Sequence, residues 1–111
     1  MLRIYYKSDY KIREIQKTIN TDAEDLVIRR NEPDSISAYI SPNIAKENNI
    51  TAQVSENLII TNTVQSYDSN GNLVYTFSIQ GTLASETETL TLTSSTDISI
   101  IKIIPVTVKE E

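Results

Sequence analysis

The stretch LIITNTVQSYDSNGNLVYTFSIQ, residues 58–80, decides the fold, because it reads as two strands joined by a turn that its own residues dictate. Leu58–Tyr67 and Leu73–Gln80 are strand-like, and Asp68-Ser69-Asn70-Gly71-Asn72 separates them. Asn-Gly supplies the positive φ angles of a tight hairpin turn. Taking Asn70-Gly71 as that turn sets Val64 opposite Phe77, Ser66 opposite Tyr75 and Asn62 opposite Ile79. The other face then holds Tyr67 with Val74, Gln65 with Thr76 and Thr63 with Ser78. A four-residue loop gives the same pairs, whereas a three-residue loop misaligns the faces. On this reading Val64, Leu73, Tyr75, Phe77 and Ile79 share a dry face, and Thr63, Gln65, Thr76 and Ser78 are wet.

Working outward, short alternating segments recur on both sides. Leu2–Lys7 reads as a strand, and Tyr10–Ile19 fits strand or helix, with strand favoured by its surroundings. Thr21-Asp22-Ala23-Glu24 matches a capping box that opens one helical turn. Leu26-Val27-Ile28 is a strand before the polar break at Asn31–Asp34. Ser35–Ile40 carries Ile36, Ala38 and Ile40 on one face, Asn43–Asn49 is a loop or single turn, and Ile50–Val54 is a further strand. Thr82–Ser85 is a short strand or connector before Thr87–Ser94, where Leu90 and Leu92 point inward and the threonines outward. Ile98–Ile104 follows, then Pro105, Val106-Thr107-Val108 and a charged tail, 109–111, read as frayed. Seven to nine short strands with turns between them indicate one all-β domain spanning 1–111, an antiparallel β-sandwich of Ig-like or jelly-roll-like type with little helix. Only two glycines are present, which favours a sandwich over a barrel whose strands must bend repeatedly.

Composition narrows the chemistry. The chain of 111 residues has no Cys, His or Trp and a net charge of −5. Residues 1–30 hold seven basic and five acidic side chains, so the rest of the chain is strongly acidic, a poor surface for nucleic acid. No run approaches the roughly 20 apolar residues of a membrane span, and the start lacks the pattern of a secretory signal, so no membrane partner is expected. Without Cys or His there is no activated nucleophile, no Gly-x-Ser-x-Gly elbow exists, and Glu86 and Glu88 read as exposed residues at a strand edge. Catalysis is therefore not expected. Asp68, Asn70 and Asn72 stand at the first, third and fifth positions of a calcium loop, but Leu73 and Ile79 occupy the positions that need Gly and Glu. Turn formation explains them, and neither metal nor cofactor is expected. Tyr67, with Asp68, Asn70, Gly71 and Asn72, makes the hairpin tip an exposed recognition candidate.

Tyr67 through Gly81 resembles one copy of the YD repeat of Rhs-type shells; with no second copy it implies a shared hairpin and nothing more. The unprocessed Met1, the missing Cys and His, and the Ser/Thr/Asn-rich strands Asn57–Tyr67 and Glu86–Ser95 resemble the small all-β accessory proteins of bacteriophage virions, namely capsid cement or decoration proteins and tail or neck components. That resemblance implies a non-enzymatic structural protein made in the host cytoplasm, located in the virion and partnered by other subunits, itself or a larger lattice. The alternative is an Ig-like binding or adhesion module for carbohydrate or protein. A third reading, an inhibitor that uses acidic surface as a mimic, lacks a concentrated acidic run.

The residues expected to carry partner contacts are Ile98, Ile100, Ile101, Ile103 and Ile104, with Arg29 and Arg30. Ile98, Ile100 and Ile104 point one way and Ile101 and Ile103 the other, so this segment is apolar on both faces. A two-layer sandwich covers only one. Either another subunit or the N-terminal segment folding back is expected to cover the second.

Overall fold

Alternation along the chain resolves into eight strands and no helix among the residues that the computed structural model describes, 17–42 and 48–110. They are β1 (Thr18–Thr21), β2 (Leu26–Arg29), β3 (Asp34–Ser41), β4 (Ile50–Val54), β5 (Leu58–Tyr67), β6 (Leu73–Gly81), β7 (Ser85–Ser94) and β8 (Ile101–Lys109). Two four-stranded sheets result, ordered β1-β3-β6-β5 and β2-β8-β7-β4. Every pairing is antiparallel except β2 with β8. The facing residues form one core: Ile36, Ala38 and Ile40 from β3, Tyr75, Phe77 and Ile79 from β6, Leu90 and Leu92 from β7, and Ile104, Val106 and Val108 from β8. The expected β-sandwich is the fold. The segment Leu2–Lys7, most of Tyr10–Ile19 and the centre of Asn43–Asn49 lie outside the described residues.

The chain changes sheets between β1 and β2, and two local features place that crossing. Thr21 does not cap a helix: its hydroxyl donates to Ala23 O at 2.7 Å, while Asp22 Oδ1 accepts from Ser37 N at 3.0 Å. The capping-box expectation is therefore wrong, because Asp22 is held by β3 rather than left free to start a turn. On the other side, β2 pairs with β8 only from Leu26 opposite Val106 onward. Pro105, one residue earlier, has no N–H to offer a neighbouring strand, so it sits just outside that pairing. At the far end Arg30 bridges to Gly81 and Asn31, at φ 66°, donates its N–H to Gly81 O at 2.9 Å, tying the two sheets together. A Cβ on Gly81 would fall 2.5 Å from Val108 Cγ1, so only glycine permits this approach.

The hairpin exists, but its register differs from the expected one by one residue. Asp68 N donates to Asn72 O at 3.1 Å and Gly71 N to Asp68 O at 3.0 Å, which leaves the three-residue loop Ser69-Asn70-Gly71. Gly71 alone takes a positive φ, 82°, so this is a type I turn closed by a left-handed glycine and not a two-residue Asn-Gly turn. Tyr67 now faces Leu73, Gln65 faces Tyr75, Thr63 faces Phe77 and Val64 faces Thr76. A bulge between Ile60 and Asn62 absorbs the mismatch by letting Leu58 and Ile60 follow the core side while the parity flips beyond Thr61. Tyr75, Phe77 and Ile79 are buried as expected. Val64 is not: it is 49% exposed on the outer face.

Two further corrections concern the last third. β8 runs unbroken from Ile101 through Pro105 to Lys109, while Ile98 lies in the preceding turn. Lys109 is paired, not frayed: it lies opposite Arg29, its carbonyl accepts from Arg30 N at 2.7 Å, and Glu110 forms an ion pair with Arg30 at 3.4 Å.

Candidate functional site

Strand parity lays out the outer face of the β2-β8-β7-β4 sheet residue by residue. With Ile104, Val106 and Val108 in the core, β8 turns Ile101, Ile103, Pro105, Thr107 and Lys109 outward. Register then sets Thr93 beside Ile101 and Thr91 beside Ile103, with Thr51 and Gln53 of β4 beyond them. On the other side Val27 neighbours Thr107 and Arg29 neighbours Lys109. Ile101 is 52% exposed, Ile103 58% and Val27 59%, all in the interior or at the margin of a flat strand surface. None of these outward positions is acidic, although the chain as a whole carries −5. The result is an apolar ridge of isoleucine flanked by threonine, with basic charge at one end.

The expected contact residues separate on this frame. Ile101, Ile103 and Arg29 lie together on the outer face. Ile104 is wholly buried and Ile100 packs against the core, so both belong to the domain's own interior; inward parity next to Leu90 and Leu92 explains it. Ile98 is exposed at the β7–β8 turn, off the sheet face. Arg30 lies past the end of β2, paired with Glu110. Val27 was the residue the sequence reading passed over. Its signal was available, since Leu26-Val27-Ile28 is apolar at three successive positions and one of them must point outward.

Glu88 corrects the expectation of an exposed edge acid. It is 5% exposed, because from Glu88, past the register slip, the even-numbered β7 residues point inward with Leu90 and Leu92. Ser55 Oγ donates to Glu88 Oε1, Asn57 Nδ2 donates to Oε2 at 2.9 Å, and Ser55 Oγ in turn accepts from Thr89 N at 2.9 Å. The hydroxyls of Ser55 and Ser85 and the amide of Asn57 hold the carboxyl at about 2, outweighing the opposing effect of burial. These bonds make the carboxylate a clamp that locks the β4–β5 turn to β7.

At the hairpin tip, Asp68 Oδ1 accepts from Asn70 N and Asn72 N, both at 2.9 Å, and Oδ2 from Asn72 Nδ2 at 3.0 Å. Those bonds, the Asn72 side chain first, hold its carboxyl below the usual range. Its oxygens are spent on turn N–H groups, and among the described residues no cluster of three or more His, Cys, Asp or Glu side chains is placed to hold a metal. A shallow cleft of about 340 Å³, lined by Ser85, Glu86, Thr107 and Lys109 among others, opens where the β7–β8 register slips between Ser85 and Glu88. No described helix is long and apolar enough to cross a membrane.

No family model matches the sequence, and no curated protein matches it as a relative. Among solved structures, the chain is similar to the BIgI domain of beta protein from S. agalactiae bound to CEACAM1, at 13% identity and a TM-score of 0.50. The match covers 86% of this chain and 99% of that one. At that identity the likeness concerns architecture, and the architecture is that of an Ig-like β-sandwich.

Proposed function

We propose that this chain is a non-enzymatic Ig-like module that binds another protein through the outer face of the β2-β8-β7-β4 sheet. The observation that carries the reading is the Ile101–Ile103 ridge, half-exposed on a flat strand surface with threonine neighbours and no acidic residue. Apolar surface of this kind is stabilised by a partner that removes it from water, and the threonines beside it add methyl groups to that contact and hydroxyls that a partner must hydrogen-bond. The similar BIgI domain was solved bound to a protein, CEACAM1, which supports protein over carbohydrate as the ligand class. The missing Trp points the same way, since sugar sites usually stack on aromatic faces. The bacteriophage reading draws no support from that neighbour and is the lesser proposal.

The test is biolayer interferometry of the full chain against a panel of Ig-type receptor ectodomains that includes CEACAM1, with Ile101→Asp/Ile103→Asp as the comparison. A binder whose affinity falls roughly thirtyfold or more in the double variant, at unchanged melting temperature, is the expected result. A binder indifferent to the double variant places the binding site elsewhere on the domain.

A further inference from the structure

The hairpin tip holds a chemically labile pair that the binding face does not use. Asn70-Gly71 is the only Asn-Gly step in the sequence. An asparagine followed by glycine is open to attack on its own carboxamide, because no Cβ at the next residue shields that residue's nitrogen. Both residues are exposed, so water and hydroxide reach them. In the closed turn, however, the Gly71 nitrogen is already committed: it donates to Asp68 O at 3.0 Å. The Asp68 carboxylate also attracts the same N–H, and its negative charge opposes removal of that proton. Asp68 Oδ1 accepts from Asn70 N and Asn72 N as well, both at 2.9 Å, which fixes the backbone on either side of Gly71.

We propose that Asn70 is a site of spontaneous covalent modification, deamidation through the Gly71 nitrogen, and that Asp68 restrains it. The reaction needs only hydroxide and water. Hydroxide takes the Gly71 amide proton, and the nitrogen attacks Asn70 Cγ. The N–Cγ bond forms, the Cγ–Nδ2 bond breaks, and Nδ2 leaves as ammonia with a proton from water. Water then opens the resulting succinimide ring at either of its carbonyls. Opening at Cγ leaves aspartate, a further carboxylate beside Asp68. Opening at the main-chain carbonyl leaves isoaspartate, whose backbone runs through Cβ and Cγ and gains a carbon. That carbon enlarges the ring closed by Gly71 N and Asp68 O, so the isoaspartyl product loosens the tip. The closed turn blocks the first step. Reaction therefore proceeds from locally opened hairpins, and the bonds to Asp68 set how often the tip opens. This inference is independent of the partner-binding face.

The full chain, held warm at mildly alkaline pH, is followed by intact mass and peptide mapping. The expected product is heavier by about 1 Da, maps to Asn70 and is absent in Asn70→Gln. Its rate should rise with pH, and in the folded chain should lie roughly tenfold or more below that of the same chain unfolded in urea. Asp68→Ala, checked as folded by its melting transition, should raise the folded rate several-fold. Asp68→Asn keeps an oxygen for the turn N–H groups and drops the charge; this milder variant should raise the rate too. A folded rate equal to the unfolded one overturns the proposal. So does the absence of product at Asn70, a first deamidation at any other asparagine, or a rate that neither Asp68 variant raises.

Discussion

Glu88 is the residue whose chemistry departs furthest from its surroundings, a carboxylate in the hydrophobic layer held by two serines and an asparagine. Its affinity for a proton is depressed to about 2 in the folded chain against 4.5 ordinarily, so the unfolded chain takes up the proton first as pH falls. Its contribution to stability is therefore complete above about pH 4.5 and is lost as pH drops through the folded value near 2. Urea unfolding across that window should show stability falling with acid, and Glu88→Gln should remove up to about 1.4 kcal/mol per pH unit of that slope. A slope unchanged in the variant would show that Glu88 is not the group responsible. Gly81 is the second residue whose identity is fixed by its contacts. Gly81→Ala should cost about 1–3 kcal/mol in the same assay, because Val108 must move for the new methyl group.

At the scale of elements, the hairpin shows how far local rules reach. Two strands, the place of their turn though not its length, and the buried face of β6 were legible, because Tyr75, Phe77 and Ile79 alternate without interruption and stack toward one core, Tyr75 and Phe77 with ring centroids 5.8 Å apart. The partner strand was not, because a bulge adds a residue without leaving a signature: Thr61 is as ordinary in a strand as Thr63. Loop length and bulge compensate, so turn chemistry alone cannot choose between the two registers. The registers make opposite demands on Val64. Phe77→Ala should cost about 3–5 kcal/mol, while Val64→Ala on the wet face should stay within about 0.5 kcal/mol. Equal losses at the two positions would favour the unbulged pairing. Gly71→Ala tests the turn in the same way. A side chain at φ 82° should destabilise the domain by about 1 kcal/mol, since the left-handed region costs L-residues roughly that much.

Across the whole molecule, sandwich architecture followed from periodicity, yet the binding face did not follow from any motif. Ile101, Ile103 and Val27 come from strands far apart in sequence, joined only because β2 pairs with β8 in parallel, a pairing no local pattern announces. What the sequence did carry was an excess: a segment apolar at 103 and 104 in succession must show one side chain to water in a two-layer fold. The distribution of charge over the finished face then distinguishes how a partner is held. Arg29 and Lys109 sit at one end, and the isoleucine ridge itself has no charged neighbour on the sheet surface. An interface driven by burial of that ridge is governed by apolar area removed from water, which added salt does not screen. An acidic mimic would instead depend on long-range attraction that a Debye length of about 3 Å at 1 M salt suppresses. For any partner that the double variant releases, affinity should therefore change by no more than about threefold between 0.1 and 1 M NaCl, and Arg29→Ala should weaken it only slightly. Affinity that collapses over that range would show the acidic body, rather than the isoleucine ridge, to be the recognition surface.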